Sequence, residues 1–152
     1  MKKICFVSSS GGHWEELMCL KPLTENYDSV FVTEKGGQAL DSKLDKLYEV
    51  DQINRKEKFF AAKFIRLFVR AYRILRREKP DFIITTGALA AFPFCLWGKL
   101  LHRKVIYIES FARVEGKSLT GKLVYPFADL FIVQWRDMLK FYPKAVYVGG
   151  IF

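Results

Sequence analysis

Short apolar segments alternate with helical segments along the whole chain, and this alternation limits the fold more than any other feature. The first segment, residues 4–8, contains an unbroken apolar run of the kind found in strands covered on both faces. Strands that alternate with helices at this spacing favour a parallel sheet with right-handed crossovers. The sequence therefore predicts an α/β fold with a Rossmann-like parallel sheet of about six to seven strands.

The predicted elements follow the chain in order. Strands are expected at residues 4–8, 29–33, 47–50, 82–85, 104–109, 130–133 and 145–148; helices are expected at 13–20, 59–78, 89–101 and 119–127, with a helical turn at 137–141. The polar interval 34–46 is expected to be a loop with a helical turn. We expect residues 1–152 to form one domain, because 152 residues suffice for one full core.

The net charge of +9 points to an acidic partner: nucleic acid, an anionic membrane or a phosphorylated substrate. We expect no nucleic acid, because the aromatic residues of the basic helix at 59–78 do not interleave with its arginines. Cys5, Cys19 and Cys95 form no CxxC pair and have no zinc-type spacing with histidine. The cysteines are therefore expected to be buried free thiols, and no metal or cofactor is expected.

Three turns follow predicted strands, at residues 8–13, 85–88 and 109–113, where parallel sheets bind ligands. In the first, Ser10, Gly11 and Gly12 join a strand to a helix, whose free N–H groups suit an anion. The glycines fit neither the P-loop nor the GxGxxG pattern, so NAD binding is not indicated. A plain tight turn is the alternative.

Four side chains near these turns are candidates for chemistry. His13 at a helix start could, as a neutral imidazole, accept a proton from a hydroxyl, although a capping or surface histidine is equally compatible with the sequence. Glu109 ends an apolar strand and is either a site group or an exposed strand terminus. Arg113 and Lys117 could neutralise phosphate oxygens, or could simply be solvated. The second histidine, His102, lies in a polar turn and is expected to be solvated.

The helix at 59–78 has a basic stripe and an apolar arc wider than one sheet contact should bury. A basic helix with a wide apolar face is typical of a membrane-surface segment. The alternative is a core helix with a solvated basic face. No segment reaches the ~20 apolar residues that a membrane-spanning helix needs.

Two motifs resemble one family of proteins. They are Gly11-Gly12-His13-x-x-Glu16 and Tyr107-x-Glu109-Ser110-x-x-Arg113. Further matching segments are Ser118-Leu119-Thr120-Gly121-Lys122, Tyr125-Pro126-Phe127-Ala128-Asp129, Val133-Gln134-Trp135, and Tyr142-Pro143 with Gly149. The family is the membrane-anchoring, acceptor-side subunit of two-component UDP-sugar transferases, of the asparagine-linked glycosylation type and its bacterial capsular and exopolysaccharide counterparts. The chain also resembles, more weakly, the N-terminal half of the lipid II-forming transferase, a GT-B enzyme.

The resemblance implies the N-terminal half of a split GT-B enzyme that builds capsular or exopolysaccharide repeat units. Such a subunit would bind a polyprenyl-diphosphate-linked sugar acceptor and recruit a separate UDP-sugar-binding catalytic subunit as a heterodimer, with little or no activity alone. His13 or Glu109 would orient or deprotonate the acceptor hydroxyl. The residues implied to contact the acceptor and its diphosphate are Ser10, Gly11, Gly12, Glu16, Gly87, Ser110 and Arg113.

Eukaryotic members of this family begin with a spanning helix, whereas this chain begins with a predicted strand. Attachment is therefore expected to be peripheral, at the cytoplasmic face of the inner or plasma membrane. The expected membrane surface comprises Phe64, Arg66, Arg70, Arg73, Arg77, Phe94 and Trp97. Two other classes stay open: a non-catalytic membrane adaptor that only enhances the partner transferase, and a standalone Rossmann-fold sugar-nucleotide enzyme, which the missing GxGxxG motif disfavours.

Overall fold

The computed structural model of the chain describes residues 1–36, 44 and 46–151. Its strands are β1 (Lys3–Ser8), β2 (Asp28–Glu34), β3 (Leu47–Val50), β4 (Phe82–Gly87), β5 (Lys104–Ile108), β6 (Leu130–Val133) and β7 (Val146–Tyr147). The α-helices are α1 (Gly12–Met18), α2 (Phe60–Glu78), α3 (Phe92–Leu100) and α4 (Leu119–Val124), and shorter 3-10 helices lie at Lys21–Glu25, Leu89–Ala91 and Arg136–Lys140.

The strands of the described chain form one parallel sheet in the order β3-β2-β1-β4-β5-β6-β7. Ile4 of β1 lies opposite Ser29 of β2 on one side and Phe82 of β4 on the other. The chain moves outward from β1 to β3 and then crosses back to β4, so the strand order reverses between β1 and β4. Ligands of such sheets bind beyond the carboxyl ends of the strands at this reversal. The predicted Rossmann-like sheet is confirmed.

Alternate residues of the strands point to opposite faces of the sheet, and both sets are apolar. Helices therefore cover both faces. Cys5 and Val7 pack with buried side chains of α2 and α3, whereas Phe6 packs with Trp14 and Leu17 of α1. Full burial of one such leucine stabilises the fold by about 2 kcal/mol. Because the helices cover the faces of the sheet, its backbone and polar side chains remain accessible at the carboxyl edge.

Local residues determine where the helices end. The helix predicted to reach residue 127 ends at Val124, because Pro126 cannot continue it. α2 ends at Glu78, as predicted, because the next residue, Lys79, has a left-handed φ of 50° and is followed by Pro80. Most of the loop predicted at 34–46 lies outside the described residues.

Two of the three cysteines are buried as predicted. Cys5 and Cys95 are free thiols in the core, whereas Cys19 is exposed. Burial raises the pKa of the Cys95 thiol to about 12, so this thiol stays protonated at neutral pH.

Candidate functional site

The turn between β1 and α1 leaves its backbone open at the carboxyl edge of the sheet. Gly11 has φ 81° and ψ −138°, a conformation that side chains rarely adopt. A Cβ added at Gly11 or Gly12 would meet nothing within 4 Å. A glycine is therefore needed at position 11 for the backbone angles, and both Gly11 and Gly12 leave space beside the backbone.

His13 is held by the end of β4 through two hydrogen bonds. Its Nδ1 lies 3.0 Å from the carbonyl oxygen of Thr86, and the hydroxyl of Thr86 donates to the carbonyl oxygen of His13 at 2.6 Å. A carbonyl oxygen can only accept, so Nδ1 carries a proton. In the neutral ring, Nε2 then has a free lone pair.

Gly87 makes this approach of the imidazole possible. Its φ is 114°, and a Cβ at this position would lie 3.0 Å from the hydroxyl of Tyr107 and 3.4 Å from Cε1 of His13. The next residue, Ala88, has a φ of 68° and a ψ of 159°, which is strained for a residue with a Cβ. The turn is thus shaped around the histidine.

His13 lines a cavity of about 370 Å³ at the carboxyl ends of β1, β4 and β5. The other lining residues are Arg55, Ala88, Leu89, Tyr107, Ser110, Ala112, Arg113, Ser118, Leu119 and Thr120. A second cavity of about 660 Å³, lined by Ser10 and Glu34 among others, shares Arg55 and Leu89 with the first. The two cavities adjoin along the sheet edge.

Two arginines give the first cavity a positive wall. Arg55 comes from the loop after β3, and Arg113 comes from the loop after β5. Neither guanidinium forms an ion pair with any carboxylate in the part of the chain that the structure describes. A guanidinium without a carboxylate partner is suited to bind phosphate oxygens.

Glu16 lies behind the cavity wall, although a diphosphate contact was predicted for it. Its Oε1 accepts hydrogen bonds from the backbone N–H of Phe111 at 2.7 Å and from the hydroxyl of Ser110 at 3.5 Å. Its Oε2 is buried without a hydrogen-bond partner among the described residues. Burial raises the pKa of this carboxyl group. Glu16 therefore ties α1 to the loop after β5.

Glu109 is also buried, with 1% of its surface exposed, which corrects its predicted place at the acceptor or at an exposed strand terminus. Its carboxylate oxygens accept hydrogen bonds from the Ser118 hydroxyl at 2.8 and 2.9 Å and from the Tyr142 hydroxyl at 2.6 Å. Burial raises the pKa of Tyr142, whose hydroxyl stays protonated and donates. Gly121 leaves room for this cluster, since a Cβ there would collide with Glu109 and Tyr142. Glu109 therefore joins β5 to α4 and has no surface for a substrate.

The structure thus brings four predicted site residues to one cavity: His13, Ser110 and Arg113 in its wall, and Gly87 beside it. The sequence analysis missed Arg55. The carboxyl end of the third predicted strand lies at the same sheet edge, so applying the edge rule to that strand would have found it. Thr86 lay within a predicted turn but was not recognised as the partner of His13.

A second candidate surface lies on α2 and α3, here called the α2–α3 surface. It comprises Ile65, Phe68, Val69, Tyr72, Phe92, Trp97 and Leu100. Ile65 is 65% exposed and Leu100 is 59% exposed. The ring of Trp97 lies 4.9 Å from that of Tyr72, and its Nε1–H donates to the carbonyl oxygen of Phe68. The apolar face of α2 is thus wider than its core contact, as predicted.

The predicted membrane-surface residues divide between this surface and other places. Phe94 is fully buried in the core, so it cannot belong to any surface, and this prediction is wrong. Phe64 is half-buried. The arginine stripe runs beside β3, where Arg66 lies 3.9 Å from Asp51 and Arg70 donates to the carbonyl oxygen of Glu49. All four arginines of the stripe line one groove of about 530 Å³ between α2 and β3.

No helix in the described part of the chain is long and apolar enough to cross a membrane. Across residues 1–36, 44 and 46–151, no group of three or more His, Cys, Asp or Glu side chains is placed to hold a metal ion.

The fold is that of the N-terminal half of a GT-B enzyme. The structure of MurG from Acinetobacter baumannii superposes with a TM-score of 0.75 and 17% sequence identity, over 90% of this chain and 43% of that chain. A co-structure of S. aureus MnaA and UDP gives a TM-score of 0.76 and 15% identity, over 99% of this chain and 46% of that chain. At these identities the likeness establishes the fold alone.

The family described as "Oligosaccharide biosynthesis protein Alg14 like" matches residues 42–151, and the chain belongs to this family. Two relatives are each named UDP-N-acetylglucosamine transferase subunit ALG14. The one from Kluyveromyces lactis is 42% identical over 93 residues, covering 56% of this chain and 39% of that protein. The one from Homo sapiens is 39% identical over 87 residues, covering 53% of this chain and 40% of that protein. The chain thus spans about two fifths of these relatives, and the resemblance seen in its motifs is confirmed at the level of the Alg14 family.

Proposed function

We propose that residues 1–152 form the acceptor-side domain of a two-component UDP-sugar glycosyltransferase. The chain binds a polyprenyl-diphosphate-linked sugar acceptor, and a separate catalytic subunit binds the UDP-sugar in a heterodimer. Membership of the Alg14 family supports this proposal, because the relatives are named subunits of a UDP-N-acetylglucosamine transferase. UDP-N-acetylglucosamine is accordingly the first donor to test.

One observation carries the proposal: His13 and two arginines line the same cavity, and in the described chain neither Nε2 of His13 nor the arginines have a hydrogen-bond or carboxylate partner, respectively. Nε2 of His13 accepts the acceptor hydroxyl's hydrogen bond and takes its proton as the oxygen attacks the anomeric carbon of the donor. The bond from that carbon to UDP breaks, and UDP leaves with the electron pair. Arg55 and Arg113 neutralise the acceptor diphosphate, which also contacts the backbone at Gly11 and Gly12.

Glu16 and Glu109 act indirectly in this proposal. Glu16 fixes the start of the loop 110–113 from one side, and Glu109 fixes α4 and its N-cap residue Ser118 from the other. Both carboxylates are buried, so they position Ser110 and Arg113 rather than contact the acceptor.

Transfer by the reconstituted pair tests the proposal. The variant His13→Gln removes the base, and we expect a loss of turnover of at least ~100-fold, in the range for a general base. His102→Gln is the matched control, since His102 lies in an exposed turn. Full activity of His13→Gln would instead favour the non-catalytic adaptor. Tight UDP-sugar binding by this chain alone would favour a standalone sugar-nucleotide enzyme.

We further propose that the α2–α3 surface, with the arginine stripe beside it, attaches the domain to the cytoplasmic face of the inner or plasma membrane. Apolar side chains flanked by cations suit an anionic bilayer surface, where each cation contributes about 1 kcal/mol. Reversing Arg66, Arg70 and Arg73 to glutamate should abolish flotation with anionic vesicles. Reversing the exposed Lys21, Lys122 and Lys144 changes the net charge equally and should preserve it. Equal loss in both triple variants would overturn this surface.

We infer that the acceptor belongs to a capsular or exopolysaccharide repeat unit, as in the bacterial counterparts that the sequence motifs resemble. The reconstituted pair should then extend an undecaprenyl-diphosphate hexose faster than a dolichyl-diphosphate N-acetylglucosamine. Faster extension of the dolichyl compound would replace this acceptor class with that of asparagine-linked glycosylation.

A further inference from the structure

The turn from Thr86 to Ala88 has a backbone that its residues would not adopt on their own. Gly87 has a φ of 114°, and Ala88 combines a φ of 68° with a ψ of 159°. An alanine persists in this region only where the surrounding structure dictates its conformation. What surrounds the turn is α1, whose second residue, His13, packs against Gly87.

Two hydrogen bonds of opposite direction join the turn to His13. The Thr86 hydroxyl donates to the His13 carbonyl oxygen, and Nδ1–H of His13 donates to the Thr86 carbonyl oxygen. Thr86 is fully buried, so water does not compete for either bond. Because a carbonyl oxygen has no proton to give, the neutral imidazole is confined to the tautomer with its proton on Nδ1.

The group that orients the imidazole is a backbone carbonyl and not a carboxylate. Glu16 accepts from Phe111 and Ser110, and Glu34 accepts from the backbone N–H of Ile53. Neither carboxylate is hydrogen-bonded to His13 in the described chain. Both lie near enough to interact with His13 electrostatically, but the hydrogen bond that orients the imidazole is accepted by the Thr86 carbonyl oxygen.

We infer that the Thr86–Ala88 turn is a positioning device for His13, with Thr86 as the residue that holds the imidazole in the Nδ1–H tautomer and presents Nε2 to the cavity as an acceptor. This inference rests on the proposed function, in which His13 acts on the acceptor. For the neutral ring it also narrows the ligand class, because an unprotonated Nε2 pairs with a hydrogen-bond donor such as a hydroxyl.

Nitrogen-15 NMR of the imidazoles in the isolated chain tests the inference directly. The chain has two histidines, so His102→Gln leaves the signals of His13 alone. At a pH where the ring is neutral, we expect Nε2 to resonate as an unprotonated nitrogen, with a roughly five- to tenfold excess of the Nδ1–H tautomer. A majority of the Nε2–H tautomer would overturn the inference without any variant.

Three threonine variants then assign the role to Thr86. Thr86→Val keeps the shape and the backbone carbonyl but removes the hydroxyl that holds the His13 backbone, so we expect the imidazole to move and its nitrogen signals to shift while the Nδ1–H tautomer persists. Thr86→Ser restores the hydroxyl and should restore the wild-type spectrum. Thr33→Val is the matched control, because Thr33 is also buried, on β2 of the same sheet, and its hydroxyl has no partner in the described structure. The same spectrum for Thr86→Val and Thr33→Val would show that the Thr86 hydroxyl has no positioning role.

Gly87→Ala provides a second, independent perturbation. Its Cβ would press on Cε1 of His13 and on the Tyr107 hydroxyl, so we expect the imidazole to move and the tautomer excess to fall. An unchanged His13 spectrum in a folded Gly87→Ala variant would contradict the inference that the Thr86–Ala88 turn positions His13. These spectra need no partner or substrate. A confirmed tautomer with full transfer activity of His13→Gln would therefore leave the positioning intact and remove only the proposed chemistry.

Discussion

The two ends of the sheet carry carboxylates whose pKa values shift in opposite directions. At the amino end, burial alone would raise the pKa of Glu78, but hydrogen bonds from Lys46, Tyr48 and Lys3 outweigh it and leave the pKa lowered. Asp129 follows the same pattern, with the backbone N–H of Val105 and the ammonium of Lys99 outweighing burial. At the carboxyl end, burial dominates for Glu16 and Glu34, and their pKa values are raised.

The difference shows which end of the sheet stabilises the fold and which end holds the candidate site. A lowered pKa contributes stability that is present above the unfolded value and is lost as the pH falls through the folded value. A raised carboxyl pKa has the opposite sign, so stability rises as the pH falls from neutral towards the unfolded value of about 4.5. The carboxyl end therefore keeps charges that cost stability at neutral pH, as expected where side chains are arranged for function.

The largest expected effect is at the amino end. Glu78→Ala leaves the ammonium of Lys3 and the hydroxyl of Tyr48 without their shared acceptor. We expect a loss of about 2–3 kcal/mol in the free energy of unfolding at pH 7, below the range for fully buried pairs because Lys46 is half exposed. Urea denaturation measures it, and Glu115→Ala at an exposed loop position is the control. A loss under 1 kcal/mol would show that the amino end is not stabilised by these pairs.

The second effect tests the packing around Glu109, whose carboxylate accepts hydrogen bonds from the hydroxyls of Ser118 and Tyr142 at the carboxyl end of the sheet. Gly121→Ala places a methyl group against Glu109 and Tyr142, and overpacking of this kind costs about 2 kcal/mol. Gly12→Ala is the matched control, because its Cβ meets nothing within 4 Å. Thermal unfolding of the two variants compares them. Equal melting temperatures would mean that the cluster around Glu109 can shift without cost.

The third effect concerns the unpaired cations of the carboxyl end. Removing the Arg55 guanidinium should weaken binding of inorganic pyrophosphate about tenfold, since hydrogen bonds to charged groups contribute about 1.5 kcal/mol or more. Calorimetric titration of Arg55→Gln measures this change. Arg76→Gln removes an exposed guanidinium from α2 and should leave the affinity unchanged. If both variants weaken binding equally, only net charge matters.

The smallest effect reads the pH dependence directly. Glu16→Gln removes a carboxyl group with a raised pKa, so the part of the stability gain between pH 8 and pH 5 that comes from this group should disappear. Urea midpoints across this range measure it, with the exposed Glu15→Gln as the control. A Glu16→Gln profile parallel to that of the wild type would show that Glu16 does not titrate as its burial indicates.

Much of the fold could be predicted because it follows from local patterns. The strands at Leu47–Val50 and Leu130–Val133 have the predicted bounds, since short apolar runs between polar residues define them. The prediction failed for Phe94 because α3 is apolar on nearly every side, so no periodicity tells which face points outward.

The candidate site was predictable to the extent that it depends on strand ends. Parallel strands place their carboxyl ends together, and this rule brought His13, Gly87 and Arg113 to one edge. The burial of Glu16 and Glu109 could not be predicted in the same way. It depends on donors from Phe111, Ser118 and Tyr142, and which of these contacts forms is decided by how α1 and α4 pack.

By itself, the sequence determined the alternating strands and helices, the glycine turn before His13, the basic stripe of α2 and the motifs of the Alg14 family, because each of these is written in neighbouring or regularly spaced residues. Only the tertiary structure decided which carboxylates are buried, which arginines lack a partner in the described chain, and which nitrogen of His13 carries the proton. The physical reason is that these properties are set by hydrogen bonds and burial between residues far apart in sequence, such as the 73 positions that separate His13 from Thr86.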